Sequence, residues 1–342
     1  MESGLDDFPF DWIAEDFKKG NCIPFLGAGA SAFPTGNLPK PPTARSLAFE
    51  LAKESTYPDY RVAMDTADPS KEGTLERQLR ARLDCENLML VSSWVEHGRG
   101  DRPRLHRKLR DYLANPDIRL PSNALHTLLA RTARESPMAI LTTNYDDLID
   151  LALEEQQVPF DLFVVAIDRP GSSGQQPGAT FFRPAGGNDF SAVTTEDAIL
   201  DIGLGPGEVR LKRTVLIKIH GHIDRNRADQ DTFVITEEDY VSFLGRMGQH
   251  GCVIPADLMA LMPSRTLLFL GYGLRDWNLR VLLDRLSQVG GPRKKAYAVT
   301  SNIGMAETRL WERRNVEVFN VDLNQFVPRL DQAMTRQSLT GS

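Results

Sequence analysis

Cysteine is scarce in this 342-residue chain: Cys22, Cys85 and Cys252 stand far apart, with no pair at metal-ligand spacing and no framework for disulfides. Three isolated thiols fit a reducing compartment. No segment approaches the roughly 20 consecutive apolar residues of a membrane-spanning helix, and the acidic N-terminus has no apolar stretch of secretory length. A cytoplasmic location with no membrane partner is therefore expected. Basic excess is missing as well: the net charge of −6 disfavours a protein that holds nucleic acid by bulk charge, so direct nucleic-acid binding is not expected. Internal repeats are absent too. What remains is an ordinary globular composition, 41% hydrophobic, sufficient for one large core or two smaller ones.

The chain is organised around the stretch from Cys22 to Ser31. An apolar run, 22–26, breaks into Gly27 and Gly29 and leads into Ala30 and Ser31. A buried strand that ends in glycines is how a nucleotide-binding turn looks in sequence, with the next helix presenting its amides to phosphate; Gly-x-Gly can equally be a plain tight turn. Pro24 is a local misfit, since it removes an amide and fits best at a strand's first residue.

Before this strand, Phe10, Ile13 and Phe17 mark a short helix closed by Gly20. After it, residues 32–42 carry Pro34, Gly36, Pro39, Pro41 and Pro42, a loop placed where a lid over a cofactor would sit. Thr43 caps a helix with Leu47, Ala48, Leu51 and Ala52 on one face. Residues 74–129 read as helices with no strand between them, their apolar faces being Leu75, Leu79 and Leu83, then Leu105, Leu109 and Leu113, then Leu125, Leu128 and Leu129. This block is too long for one crossover, and a helical module is expected over 60–135. Inside it Arg99, Arg102, Arg104, Arg107, Lys108 and Arg110 face only Asp101: either a solvated helix face, or a docking patch for an acidic partner or a nucleic-acid backbone.

Strands follow at 138–142, leading into Thr143, Asn144, Tyr145 and Asp146; at 163–167; at 214–219, ending in His220 and Gly221; and at 266–270, ending in Gly271, Tyr272 and Gly273. Asp276, Trp277 and Asn278 lie in the helix after that. Thr236 and Asp239 form a capping box. Two last strands, 295–300 and 316–320, precede a helix at 324–334 and a flexible polar tail at 335–342. Residues 168–213, rich in Gly, Pro, Ser and Thr, read as a long loop, either a partly ordered excursion or a mobile flap. Strand and helix alternate through most of the chain, which predicts a single α/β domain: a doubly wound, parallel, Rossmann-like sheet with an inserted helical module. Ligands bind at the carboxyl ends of strands in such sheets, so the turns at Gly27, Asn144, His220 and Gly271 should meet in one crevice.

These ordered motifs, Gly27-Ala28-Gly29-Ala30-Ser31, Thr143-Asn144-Tyr145-Asp146, His220-Gly221 and Gly271-Tyr272-Gly273-Leu274 with Asp276 and Asn278, resemble those of the sirtuin-like (silent information regulator) NAD-consuming family. The resemblance implies that Gly27, Ala28 and Gly29 cradle the NAD pyrophosphate, with Ser31 opening the helix beneath. It implies that Asn144, next to Thr143, positions the nicotinamide ribose and a water, that Asp146 contacts the nicotinamide carboxamide, and that His220 is the general base. Gly271, Tyr272 and Gly273 would line the adenosine half, supported by Asp276. The deacylating members hold a structural zinc with two cysteine pairs that are missing here, and the Asp-Phe-Arg pattern of those enzymes is replaced by Ala32-Phe33-Pro34. The chain thus resembles the zinc-free bacterial branch, similar to NAD hydrolases of abortive infection in antiphage defence. His220, His222 and Asp224 are metal-ligand types, yet a catalytic zinc needs three convergent ligands, and no metal is expected.

The expected activity is NAD glycohydrolysis, with NAD as substrate. An ADP-ribosyl transferase or cyclase on the same scaffold, or a non-catalytic NAD or ADP-ribose sensor, is the alternative. By resemblance the enzyme would be a homo-oligomer held quiet until a partner such as a HerA-type ATPase or an Argonaute-like protein releases it.

Overall fold

A strand buried on both faces must be apolar at every position, and the 22–26 run meets that requirement. In the computed structural model it is β1 (Cys22–Leu26), wholly buried: Cys22 and Leu26 enter one core, Ile23 and Phe25 the other. The described residues are 4–32, 39–65, 73–98, 102–115, 117–118, 120–165, 180–193, 200–205, 208–225, 227–228, 231–248, 254–273, 280–281, 283–284, 294–301 and 303–340.

The strands of the main sheet are, in chain order, β1, β2 (Ala139–Thr142), β3 (Phe160–Val165), β4 (Thr180–Arg183), β5 (Ser191–Val193), β8 (Thr214–Lys218), β11 (Thr266–Leu270), β12 (Ala296–Thr300) and β13 (Val316–Asn320). Their spatial order is β13-β12-β11-β1-β2-β8-β3-β4-β5. All pairs from β13 to β3 are parallel; β4 and β5 add an antiparallel edge. From β1 the chain builds outward through β2, β3 and β8, then crosses to β11, β12 and β13 on the other side. The order therefore reverses between β1 and β11, the switch point at which an open α/β sheet binds its ligand.

Helices cover both faces. On one side α1 (Phe10–Lys18) packs with a helix at 124–135, another at 148–155 and the last helix of the chain, through Phe10, Ile13, Phe17, Leu128, Leu153, Phe326 and Leu330. On the other, Phe243, Leu258 and Trp311 close the second core. Between β1 and β2 run α2 (Ala28–Ser31), α3 (Ala44–Glu54), α4 (Tyr60–Met64), α5 (Thr74–Cys85), α6 (Leu88–Gly98), α7 (Arg102–Leu113) and α8 (Ala124–Glu135). Thr43 caps α3 through Ser46 N–H, as the sequence implies. The helical module has its own core, from Leu47 of α3 to Leu113 of α7, whereas α8 lies on the sheet. That module core also takes in Ile223, Phe233 and Ile235, so it is seated on the hairpin of β9 (Gly221–His222) and β10 (Thr232–Phe233) that follows β8. The remaining helices are α9 (Leu148–Glu155), α10 (Glu237–Gly248), α11 (Ala256–Leu261), α12 (Met305–Glu312) and α13 (Leu323–Thr340). Among the described residues no helix is long and apolar enough to cross a membrane.

Several expectations are corrected. Pro24 is the central residue of β1, opposite Leu268, rather than its first. The bonds explain how it is tolerated. Leu26 O accepts from Thr143 on the β2 side, and alternation puts Pro24's missing amide on that same side, where pairing with β2 begins only at Phe25. The 168–213 stretch is not one loop: besides β4 and β5 it contains a hairpin of β6 (Ile202–Gly205) and β7 (Glu208–Leu211). Leu75, Leu79 and Leu83 are exposed, because α5 packs by the opposite edge, Ala81 and Cys85. The final helix runs to Thr340 and takes in most of the expected tail. Arg102, Lys108 and Arg110 are not a free basic face. Arg102 pairs with Glu96 and Asp239, Arg110 with Asp231 and Lys108 with Glu54.

Candidate active site

The turns after β1 and β11 are laced together through their backbones. Gly27 N–H donates to Leu270 O at 3.0 Å, and Gly29 N–H to Gly271 O at 2.9 Å. A methyl on Gly27 or on Gly29 would stand 2.7 Å from Gly271 O. Gly271 is left-handed, φ +61°, and a methyl there would lie 2.2 Å from Ala30 N. The glycines are thus required for turn-on-turn contact, and the amides of Gly27 and Gly29 are committed to the end of β11 and the turn that follows it, at Leu270 and Gly271. This alters the physical reason for the motif, and α2, which follows, is a single turn.

Beside these turns lies a cavity of about 420 Å³ lined by Gly29, Ala32, Lys40, Thr43, Gly271, Tyr272, Gly273, Thr300, Ser301, Val321, Asp322, Leu323 and Asn324. It sits at the β1/β11 switch point. Tyr272 is buried, its ring edge-on to Phe25 at 5.5 Å. Asp276 lies outside the described residues. Thr300, Ser301 and Asp322 were not singled out from sequence, although the rule that ligands gather at strand ends applies equally to β12 and β13.

The turn after β2 reaches the glycine turn directly. Thr143 N–H donates to Leu26 O at 3.1 Å, and Asn144 Nδ2 donates to Gly27 O at 3.0 Å and to Ser31 Oγ at 2.9 Å. Ser31 in turn donates to Asp146 Oδ1 at 3.2 Å, an oxygen that also accepts from Leu148 N–H. Asn144 is buried, both protons of its amide are used by the protein, and its Oδ1 has no hydrogen-bond partner among the described residues. Burial pushes the Asp146 carboxyl up to about 6, against the pull of the Lys218 charge and the donors from Leu148 and Ser31.

His220 leaves the neighbouring strand at the matching level. Thr142 of β2 is in register with Lys218 of β8, so Asn144 and His220 each stand two residues beyond a paired position. Val234 joins the two turns: its N–H donates to His220 O at 2.8 Å, and its carbonyl accepts from Tyr145 Oη at 2.9 Å. The His220 ring is buried against Tyr240 at 5.5 Å and Phe243 at 5.8 Å. Gly221 follows because nothing else fits: φ is +99°, and a methyl would sit 2.0 Å from Thr232 O.

The model of the SIR2-like domain family matches residues 138–319, more than half of the chain. The chain belongs to the SIR2-like domain family. Defense-associated sirtuin 2 of Bacillus subtilis is 23% identical to it over 272 residues, 80% of this chain and 20% of that protein. The chain spans about a fifth of that relative's length. Among solved structures, one described by the mechanism and regulation of Sir2 enzymes is 13% identical, with a TM-score of 0.41 over 96% of this chain and 98% of that one. A Sir2 homologue in complex with ADP-ribose is 12% identical, with a TM-score of 0.41 over 97% and 98% of the two chains.

The SIR2-like core thus assembles Asn144, Ser31, Asp146, Gly27 and Thr143 into one bonded cluster, with His220 on the adjoining strand end. Gly29, Gly271, Tyr272 and Gly273 line the cavity beside it, and Ala28 opens the turn between. Sequence reasoning missed Lys218, which lies beneath this cluster and donates to the carbonyl of Asp146 at 2.7 Å. Its signal was in plain view: a lysine between Ile217 and Ile219 in an apolar strand.

Proposed function

We propose that this SIR2-like protein is an NAD glycohydrolase that releases nicotinamide and ADP-ribose, and that it serves as a gated effector of bacterial antiphage defence. The observation that carries the reading is Asn144, buried, with its amide nitrogen locked by Gly27 and Ser31 and its Oδ1 without a partner among the described residues. A carboxamide held in this way fixes a ribose hydroxyl or a water without adding charge.

In the proposed reaction the bond between ribose C1 and the nicotinamide nitrogen breaks, and its electron pair neutralises the pyridinium. Because the leaving group is already cationic, no strong acid is required. Water attacks C1 and gives up a proton, and an imidazole such as His220 suits that role near neutral pH. In this reading Asp146, two residues beyond Asn144 in the same turn, accepts from the nicotinamide carboxamide. The cavity at Gly29, Gly271 and Gly273 suits the adenosine half at the switch point of the sheet. Hydrolysis predicts free ADP-ribose; cyclic or protein-linked products would instead mark a cyclase or a transferase.

The defence role is supported by similarity to the Bacillus subtilis defence-associated sirtuin. Unrestrained NAD loss is lethal to a cell, so the site should be opened by self-assembly or by a partner such as a HerA-type ATPase or an Argonaute-like protein. The test is to incubate the purified protein with NAD, alone and with the protein encoded beside its gene, and to quantify nicotinamide. Release that disappears in Asn144→Ala and His220→Ala is expected. No release in either condition, or release untouched by both substitutions, overturns the reading.

A further inference from the structure

Lys218 is wholly buried at the carboxyl end of β8. Taking an ammonium out of water is unfavourable unless its partners compensate, so a lysine at this position has to be explained by what it touches. Its Nζ donates to Asp146 O at 2.7 Å and to His222 Nδ1 at 3.0 Å. It stands 2.8 Å from Asp150 Oδ2 as an ion pair. The three partners come from the turn after β2, from β9 and from α9. An ammonium can only donate, so His222 accepts at Nδ1 and carries its proton on Nε2.

We infer that Lys218 is a positioning residue for the proposed reaction: its ammonium clamps the turn that carries Asn144 and Asp146, and supplies the positive charge against which the Asp146 carboxylate is held. The inference rests on the roles given above to Asn144 and Asp146. The clamp is direct, since the carbonyl it grips is that of Asp146 itself. The charge is the strongest influence opposing burial at that carboxyl, ahead of Leu148 N–H and the Ser31 hydroxyl. The other charged or titratable groups around the Lys218 ammonium and the Asp146 carboxyl include Asp147 in the turn, Asp150 on α9, His222 on β9 with Asp224 at 3.9 Å from it, Arg225 after β9, Arg183 on β4 and His126 on α8. Asp147 is tied up by Arg225 through two bonds of 2.6 and 2.7 Å. His222 and His126 are both pushed down by burial and by Lys218. None of them replaces the lysine at the Asp146 carbonyl.

Lys218→Met alone would strand the Asp150 carboxylate, so the test uses the neutral pair Lys218→Met with Asp150→Asn. Two measurements are made. The first is the pH profile of nicotinamide release, where kcat should fall with KM little changed and the acid limb should move up by about one unit or more. The second does not depend on activity: denaturation is followed against pH with and without Asp146→Asn, in the parent and in the neutral pair. The difference reports where Asp146 titrates in the folded state. A higher midpoint in the neutral pair is expected. If the parent releases no nicotinamide yet this midpoint moves, the reaction reading fails and the role of Lys218 stands. An unmoved midpoint in a folded neutral pair overturns the inference whatever the activity. Should the pair not fold, Lys218→Gln with Asp150→Asn keeps an amide donor for the Asp146 carbonyl, removes only the charge and should still raise the midpoint; an unmoved value there refutes the inference equally.

Discussion

The interlocked glycines give the most direct test of how the site is built, and Gly271→Ala is the sharpest perturbation. Two costs can be separated. Alanine at φ +61° is in the left-handed region, worth roughly 1–2 kcal/mol. Its methyl would also meet Ala30 N at 2.2 Å, Gly29 C at 2.5 Å and Gly29 Cα at 2.9 Å. All three are backbone atoms, so no rotamer change relieves the contact and the two turns must separate, at an overpacking cost of about 1–3 kcal/mol. The sum, about 2–5 kcal/mol, is a large share of the roughly 5–15 kcal/mol typical of a folded domain. Urea denaturation midpoints at constant m-value measure it. Gly273→Ala is the control, with nothing among the described residues within 4 Å of the added methyl, and should stay within about 0.5 kcal/mol of the parent. If Gly271→Ala is equally silent, the turns are not packed as described and the account of the Gly27 and Gly29 motif fails with it.

Ser31→Ala removes the hydroxyl that takes one proton of Asn144 and donates to Asp146, so kcat for nicotinamide release should drop about 10- to 100-fold with the far-ultraviolet spectrum unchanged. His126, held neutral by burial down to about 3, binds its proton in the unfolded chain first. The stability it contributes is therefore present above pH 6.5 and lost as pH falls below that value. Thermal melts should show a smaller loss between pH 6.5 and 4.5 in His126→Gln than in the parent. Arg102→Ala leaves Glu96 and Asp239 buried without their cation and should cost about 3–5 kcal/mol in chemical denaturation. Exposed Arg107→Ala should stay within about 0.5 kcal/mol.

Periodicity revealed the elements whose burial is decided locally. Cys22–Leu26, Thr266–Leu270 and Val316–Asn320 are apolar at strand length between turn residues, and each strand matches its sequence boundary. The Thr236 and Asp239 capping box also forms, because both partners lie within one turn. What stayed hidden depends on partners distant in sequence. Leu75, Leu79 and Leu83 have helical spacing, but spacing says only that they share a face; which face meets α4 and α6 is settled by the small residues Ala81 and Cys85. The basic run looked like one surface because, apart from Glu96 beside Arg102, the acids that neutralise Arg102 and Arg110 are Asp239 and Asp231, more than a hundred residues away.

At the strand ends the sequence gives the position of a site more readily than its mechanism, since one residue type answers several demands. Gly27, Gly29, Gly221 and Gly271 are each required by a backbone that passes within about 3 Å, so their presence would be the same with or without a nucleotide. Asn144 is different. Its bonds to Gly27 and Ser31 account for the nitrogen of its amide and leave a buried oxygen with no partner among the described residues, an acceptor the proposed reaction would use. Lys218 is different in the same way, a local rule broken inside an otherwise apolar strand, and such breaks concentrate at functional sites. Asn144 in the turn after β2 and Lys218 at the end of the adjoining strand β8 are linked through Ser31 and Asp146. The proposed chemistry is therefore supported less by the glycine pattern that first draws attention than by these two buried polar groups.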